Sequence, residues 1–426
     1  MSKRKLKSRV KKFCTFVFLL AIVVCLIAYA PKLYNKIKHN SNETVPKVIK
    51  PKEEKPKKTV EKVSVITTGD ALIHSGVYKD AWNGTEYDFS KQLEFIEPIV
   101  KQYDIAYYNQ ETIFGGENLG YSNYPMFNTP SHLGIDMQEA GFNMVSMATN
   151  HSLDKGEKGA INAINFWKEQ QNVLTAGMYL SDEDRNEDRI FEKNGITYTM
   201  LNYTYGTNGL KRPQGKDYLV NVWPTNLSIN DPAKDTEYQN YKEIVKADIE
   251  RVRDKVDVLF VAMHWGVEYT HTPTKYEEDM ASFLAENGVD VVIGAHPHVI
   301  QPLAMIDDTL VIYSLGNMIS AQEGEMKLVG MLASFDITKT TENNESTITI
   351  DNIGVDLTWT YYNGSYRGFK VVPFSVMDDK YLRNSESVYN KYKAIIDTPY
   401  TSNRVEYNTN FEINVKGYKS GLSETQ

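Results

Sequence analysis

Six short apolar runs, each ending abruptly in polar residues, constrain this chain more than any other feature. They are VSVITTGD (63–70), DIAYYNQE (104–111), NMVSMATNH (143–151), DVLFVAMHWG (257–266), VDVVIGAHPH (289–298) and TLVIYSLGN (309–317). Each is rich in apolar and β-branched residues, the pattern of a buried strand. Helical patterns lie between them, at Ser90–Tyr103, His132–Ala140, Gly156–Gln171, Tyr238–Val256 and Lys275–Asn287. Strand–helix alternation predicts an α/β fold with central β-sheets flanked by helices. After about Leu328 the chain turns β-rich with few helices, in VGMLASFDI, STITIDNIGV and FKVVPFSV, strands that complete or flank the sheet. Ligands of such folds collect at the carboxyl ends of strands, and every polar cluster named here falls at such an end.

Five of the eight histidines sit at these ends: His74, His151, His264, His296 and His298. The same ends carry Asp70, Glu111, Asn150, Asp154 and Glu268. Imidazole nitrogens with carboxylate and amide oxygens suit Mn, Fe, Zn or Mg. In His296-Pro297-His298 two imidazoles can face two adjacent metals, and the proline stiffens the link. Taken singly, each piece has an ordinary reading. Gly-Asp after a strand is a turn, Asn-His is a helix cap, and His264-Trp265-Gly266 is core packing. The ordered series at successive strand ends favours a metal site. His132 at a helix start, His271 in a polar loop and His39 near the N-terminus read as non-ligands.

Composition narrows the alternatives. Both cysteines, Cys14 and Cys25, lie in an apolar N-terminal stretch, so a disulfide framework and a Cys-ligated zinc are excluded from the rest. Residues 1–62 carry 17 Lys/Arg against 4 Asp/Glu, a net of +13, and the remainder carries 30 against 51, a net of −21. A domain that acidic repels nucleic acid, and no nucleic-acid partner is expected.

The basic tail 1–12 holds seven Lys/Arg and precedes Phe13–Ala30, 18 residues without a charge. That length just spans a bilayer, and only Lys32, Lys36 and Lys38 follow closely. The asymmetry predicts one transmembrane helix at 13–30, the N-terminus in the cytoplasm and the main domain outside the cell membrane. Ala28-Tyr29-Ala30 has the form of a signal cleavage site. The run is long for a signal peptide, however, and Pro31 disfavours cleavage, so an uncleaved anchor is expected. Residues 31–62, rich in Lys, Pro and Glu, read as a solvated linker. A main domain is expected at 63–330, with a β-rich extension of it at 331–426.

The segments TTGDALIH, NQE, ATNHSLDKG, MHWGVEY, IGAHPHVIQP and YSLGN resemble the CapA (PgsA) family of bacterial capsule and poly-γ-glutamate biosynthesis. The likeness covers roughly Val63–Ala321 and implies a calcineurin-like, layered metallophosphoesterase fold. It further implies that Asp70 binds one metal and Glu111 stands where a carboxylate bridges two. Asn150, His264 and His296 would bind the second metal, with His298 returning to the first. His151 would be a general acid, oriented by Asp154. Two divalent ions, Mn or Zn, would clamp an anionic substrate and activate a bridging water. Two departures stand out. The first motif of that fold is D-x-H, whereas Asp70 and His74 are spaced D-x-x-x-H, and the bridging position holds Glu in place of Asp.

The function implied is that of a membrane-anchored factor handling an acidic polymer as it emerges. One alternative is a metal-dependent hydrolase of envelope phosphates. Another is a non-catalytic scaffold that binds membrane proteins of a polymer synthase. The topology has a direct test: protease added to cells stripped of their outer wall should digest residues 63–426 without releasing a chain that starts at Pro31. Full protection would reverse the orientation.

Overall fold

A computed structural model describes residues 58–225 and 227–418, together with Val24 and Ala28. The segment read as a membrane anchor otherwise lies outside the described residues. Among the described residues no helix is long and apolar enough to cross a membrane.

The chain builds half of one sheet, then a second sheet, then returns to finish the first. β1 (Thr59–Leu72), β2 (Ile105–Asn109), β3 (Met144–Ser146) and β4 (Leu174–Ala176) are parallel neighbours in that order. β5 (Phe191–Lys193), β6 (Ile196–Thr204), β7 (Val258–His264), β8 (Val291–Ala295), β9 (Leu303–Ile306) and β10 (Thr309–Ile312) form the second sheet, in the order β5-β6-β7-β8-β10-β9. β6, β7, β8 and β10 run parallel within it. β11 (Asn317–Ser320) then pairs with the end of β1, and β12 (Val329–Glu342) and β13 (Glu345–Tyr361) extend the first sheet as an antiparallel pair. β14 (Lys370–Pro373) and β15 (Asn414–Val415) both add to β13.

Strand residues alternate between two apolar layers. Val63, Val65, Ile105 and Tyr107 of the first sheet share one core with Val258, Phe260, Val291 and Ile293 of the second. The residues between them point the other way. Ile66, Ala106, Tyr108 and Val145 pack with Leu133, Met137, Ile164 and Trp167 from the helices His132–Glu139 and Gly156–Glu169. Leu259, Val261, Met263 and Val292 pack with Val245, Ile249, Met280 and Leu284 from the helices Thr236–Val252 and Lys275–Glu286. The result is two stacked sheets with helices on both outer faces. Strands buried on both sides explain why the runs read as continuous apolar text.

Several elements differ from the sequence expectation. β1 starts at Thr59, not Val63, because Thr59–Lys62 pair with Thr338–Thr341 of β12. The helix expected over Ser90–Tyr103 is two short pieces, Ser90–Leu93 and Glu97–Val100. Pro98 lies at the start of the second, where its missing N–H is tolerated. The sequence pattern does not mark β6, whose Thr and Tyr residues hide a strand that is almost wholly buried. Nor does it mark the Ser385–Ile396 helix, whose Val388, Tyr389, Tyr392 and Ile396 join the core between the sheets.

β1 changes partner just where its polar residues begin. Up to Thr67 it pairs with β12, and from Asp70 it pairs with β11. The Asp70 N–H donates to the Gly316 carbonyl at 2.9 Å. Gly69 makes the approach possible, since a Cβ there would stand 1.8 Å from the Gly316 oxygen. Gly69→Ala is therefore expected to destabilise the protein by about 1–3 kcal/mol, the usual cost of overpacking, in chemical denaturation. Unchanged stability would show that the two backbones can part freely.

Candidate metal centre

Because both sheets present the carboxyl ends of parallel strands to the same region, their polar termini meet. Asp70 stands near the end of β1, Asn109 ends β2, His264 ends β7, and His296 follows β8 directly. Asp70, Glu111, Asn150, His264, His296 and His298 are all at most 2% exposed.

Asp70 is the hub. Its Oδ1 accepts from Asn109 Nδ2 at 2.8 Å. Its Oδ2 accepts from the His296 backbone N–H at 3.2 Å and lies 3.2 Å from His298 Nδ1. His298 Nδ1 also donates to Asn317 Oδ1 at 3.0 Å. The Asn317 amide is oriented by donating to the Lys327 carbonyl and to Gln322, which fixes its oxygen towards His298. Asn109 is oriented likewise, its oxygen accepting from Ser146 Oγ at 2.6 Å. His298 Nε2 is thereby left facing Glu111 Oε1, at 3.6 Å, and Glu268 Oε1 at the rim, at 4.0 Å.

His264 sits between two amides. Its Nε2 is 3.0 Å from Asn150 Oδ1 and its Nδ1 is 3.4 Å from Asn109 Nδ2. Tyr205 stacks parallel to it and packs on His296, with ring centroids 4.5 Å apart in the second pair. His296 and His298 hold left-handed backbone, with φ of 96° and 57°. That conformation costs about 1–3 kcal/mol per residue and concentrates at functional sites. The Tyr269 N–H to Pro297 carbonyl bond, at 2.8 Å, helps to hold the loop.

His151 Nδ1 donates to Asp154 Oδ2 at 2.7 Å, and the same oxygen accepts from the Phe127 N–H at 2.6 Å. Thr149 ties this turn to Glu111, its hydroxyl donating to the Glu111 carbonyl at 2.8 Å. The Gly156–Glu169 helix starts after Lys155, which offers no side-chain cap. Asn150 and His151 are therefore not its caps.

The donor set fits a cation. Oxygens and nitrogens of Glu111, His296 and His298 lie within 4.8 Å of one another. Both Glu111 carboxylate oxygens and His296 Nδ1 are buried without a hydrogen-bond partner, an arrangement that calls for an ion or other ligand. Burial and then neighbouring histidines push the His264 and His296 imidazoles well below their usual pKa, so both are neutral and can ligate. Burial likewise drives the Glu111 carboxyl well above its usual range. Burial opposes charge on His298, yet the Glu111 and Asp70 carboxylates outweigh it and hold this imidazole up at about 9.

Asp70, Glu111, Asn150, His264, His296 and His298 are thus brought together, with His151 and Asp154 beside them. His74 stands apart: its Nδ1 bonds the Leu72 carbonyl at 3.1 Å, and burial pushes its pKa down to about 4. Asn109 and Asn317 were not singled out by sequence, although NQE and YSLGN contain them, because an amide carries no signal until its partners are known. Tyr205 has no sequence signal at all.

Fold and site define an α/β protein with a buried histidine- and carboxylate-rich centre between two sheets. The chain belongs to the bacterial capsule synthesis protein family PGA_cap, whose model matches residues 64–322. It is 28% identical over 276 residues to the capsule biosynthesis protein CapA of Bacillus anthracis, covering 62% of this chain and 61% of that one. It is 26% identical over 238 residues to the PGA biosynthesis protein CapA of Bacillus subtilis (strain 168), covering 54% and 57%. The chain thus spans about three fifths of the length of these curated relatives. A Staphylococcus aureus structure described as a 5′-nucleotidase with α-ketoglutarate aligns over 79% of this chain and 59% of its own. Its identity is 14% and its TM-score 0.42, too loose a likeness to carry a conclusion.

Replacing His296 and His298 together by Ala should abolish divalent-metal binding and lower the melting temperature. An ion that binds only the native state stabilises it by mass action, by about 2.7 kcal/mol at a hundredfold excess over Kd. Elemental analysis and calorimetry of one preparation check both, and undiminished metal content would rule these two residues out as ligands.

Proposed function

We propose that this chain is a membrane-anchored, extracytoplasmic protein of capsule or poly-γ-glutamate biosynthesis or export. Its metal centre would hold carboxylates of the acidic polymer. Membership of the PGA_cap family supports the role. The buried cluster of Glu111, His296 and His298 supports the metal and is the observation that carries the reading. We assign Asp70, Asn150 and His264 to the same centre, for two ions, Mn or Zn. Anchoring rests on the Phe13–Ala30 pattern. Divalent ions supply positive charge and Lewis acidity for oxyanions, which offsets the repulsion between an acidic domain and an acidic polymer.

One arrangement favours a second reading, a metal-dependent hydrolase of envelope phosphates. Asp154 Oδ2 already accepts from the Phe127 N–H, so the proton of its bond with His151 is placed on Nδ1, and Nε2 has no protein partner among the described residues. His151 is near enough to act electrostatically on both His264 and His296. An imidazole so held can donate to a leaving oxygen or hydrogen-bond a bound anion. General acid catalysis of this kind is worth about 10²–10⁴-fold.

His151→Ala is expected to keep the metal and the fold and to lose polymer output. Asp154→Asn should do the same more mildly. Normal metal content with normal output would remove His151 from the function. Metal-dependent turnover of a chromogenic phosphate ester, lost in His151→Ala, would move the reading to hydrolysis.

A further inference from the structure

A polar cavity of about 420 Å³ opens on the far side of His74, lined by His74, Lys79, Asn123, Ser365, Tyr366 and Arg367 among others. A second, of about 620 Å³, adjoins it and shares Lys79 and Arg367. Both volumes fall in the range of ordinary ligand sites, roughly 300–1,000 Å³. Two ring contacts link the wall of the first cavity to His151 beside the metal centre. The His74 ring meets the Phe127 edge at 5.2 Å, and Phe127 meets His151 at 4.7 Å.

The charges in this groove are unusual for the domain. Lys79 and Arg367 are exposed, and neither side chain forms an ion pair or hydrogen bond among the described residues, in a region of net charge −21. The nearby acids are engaged elsewhere. Asp80 accepts from the Gly368 and Phe369 N–H groups at 2.8 and 2.9 Å, and Glu323 accepts from the Tyr366 hydroxyl. Asp80 thereby pins the loop that carries Arg367. Glu117 is the one carboxylate lining the second cavity. The wall there is aromatic: Tyr87 packs on Tyr78, Trp82 and Tyr121, with centroids 6.2, 5.0 and 5.3 Å away. Trp82 remains 47% exposed. Free cations beside a half-open aromatic wall match a chain whose carboxylates are spaced by short aliphatic stems. The cations take the charges, and the rings take the stems.

We propose that this groove, bridged by Lys79 and Arg367, is a subsite for the stretch of a polycarboxylate chain that leads away from the metal centre. The inference rests on the polymer-handling reading above. It adds that the chain is bound along several units and leaves past His74 towards Trp82.

The test is fluorescence anisotropy of labelled γ-linked glutamate oligomers of increasing length, titrated with the metal-loaded full chain and with its Lys79→Gln/Arg367→Gln variant. For the wild type, affinity should rise with length. The variant should bind the longest oligomer about tenfold or more weakly, as expected for losing charge-assisted contacts. Its salt dependence should be shallower. Its metal content, melting temperature and affinity for the shortest oligomer should match the wild type. Equal affinity of wild type and variant for the long oligomer would overturn the groove and leave the metal-centre reading standing. A wild type that binds no oligomer would overturn both. Equally tight binding of inorganic polyphosphate of matched charge would overturn the choice of carboxylate over phosphate.

Discussion

The buried Asp70 carboxylate is the contact on which the site depends. It takes an amide donor from the first sheet, Asn109, and a backbone donor from the loop that follows β8 of the second sheet, at His296. It also lies beside His298. A carboxylate removed from water needs such partners, and Asp70 draws them from 39 and 226 residues away in the sequence. Asp70 therefore couples the stacking of the sheets to the conformation of the His-Pro-His loop. The left-handed backbone at His296 and His298 persists because that loop is held from both sides.

Charge in the centre is arranged for a cation. Asp70, Glu111 and Glu268 converge with three histidines, two of them neutral, and no Lys or Arg pairs with Asp70 or Glu111 among the described residues. Burial works against charge on Glu111, whose two carboxylate oxygens are both buried and unpartnered. The departures seen in the sequence acquire a physical form here. Glu111 reaches the cluster from a position beyond the end of β2. The extra residues between Asp70 and His74 carry His74 past the centre, where it bonds the Leu72 carbonyl and lines a neighbouring cavity.

The surroundings divide into two regimes. Inside, the ligand candidates are buried and several polar groups fix one another, as in the chain Tyr107–Ser146–Asn109–Asp70, while Glu111 and His296 Nδ1 stay unpartnered. Such satisfied networks hold geometry rigidly. Outside, past Phe127, the groove is open, and its cations stand on the short helix Ser75–Ala81 and on the loop of Arg367, without ion pairs among the described residues. On the polymer reading proposed above, the fixed centre would hold one end of the ligand and the charged groove its continuation.

Residue pattern alone determined the strand–helix alternation, the burial of the strands on both faces and the convergence of polar residues at strand ends. Those follow from local rules: an apolar run needs cover, and a polar residue ends it. Asp70, His74, Glu111, Asn150, His151, Asp154, His264, Glu268, His296 and His298 were therefore legible as a group. Tertiary structure alone decided which of them touch, because contact depends on two sheets stacking with their carboxyl ends together. It also decided the parts played by Asn109, Asn317 and Tyr205, the exclusion of His74, and the meeting of Lys79 with Arg367 across 288 positions of sequence. An amide or a lone cation has no intrinsic role; its role is set by the partners the fold places around it.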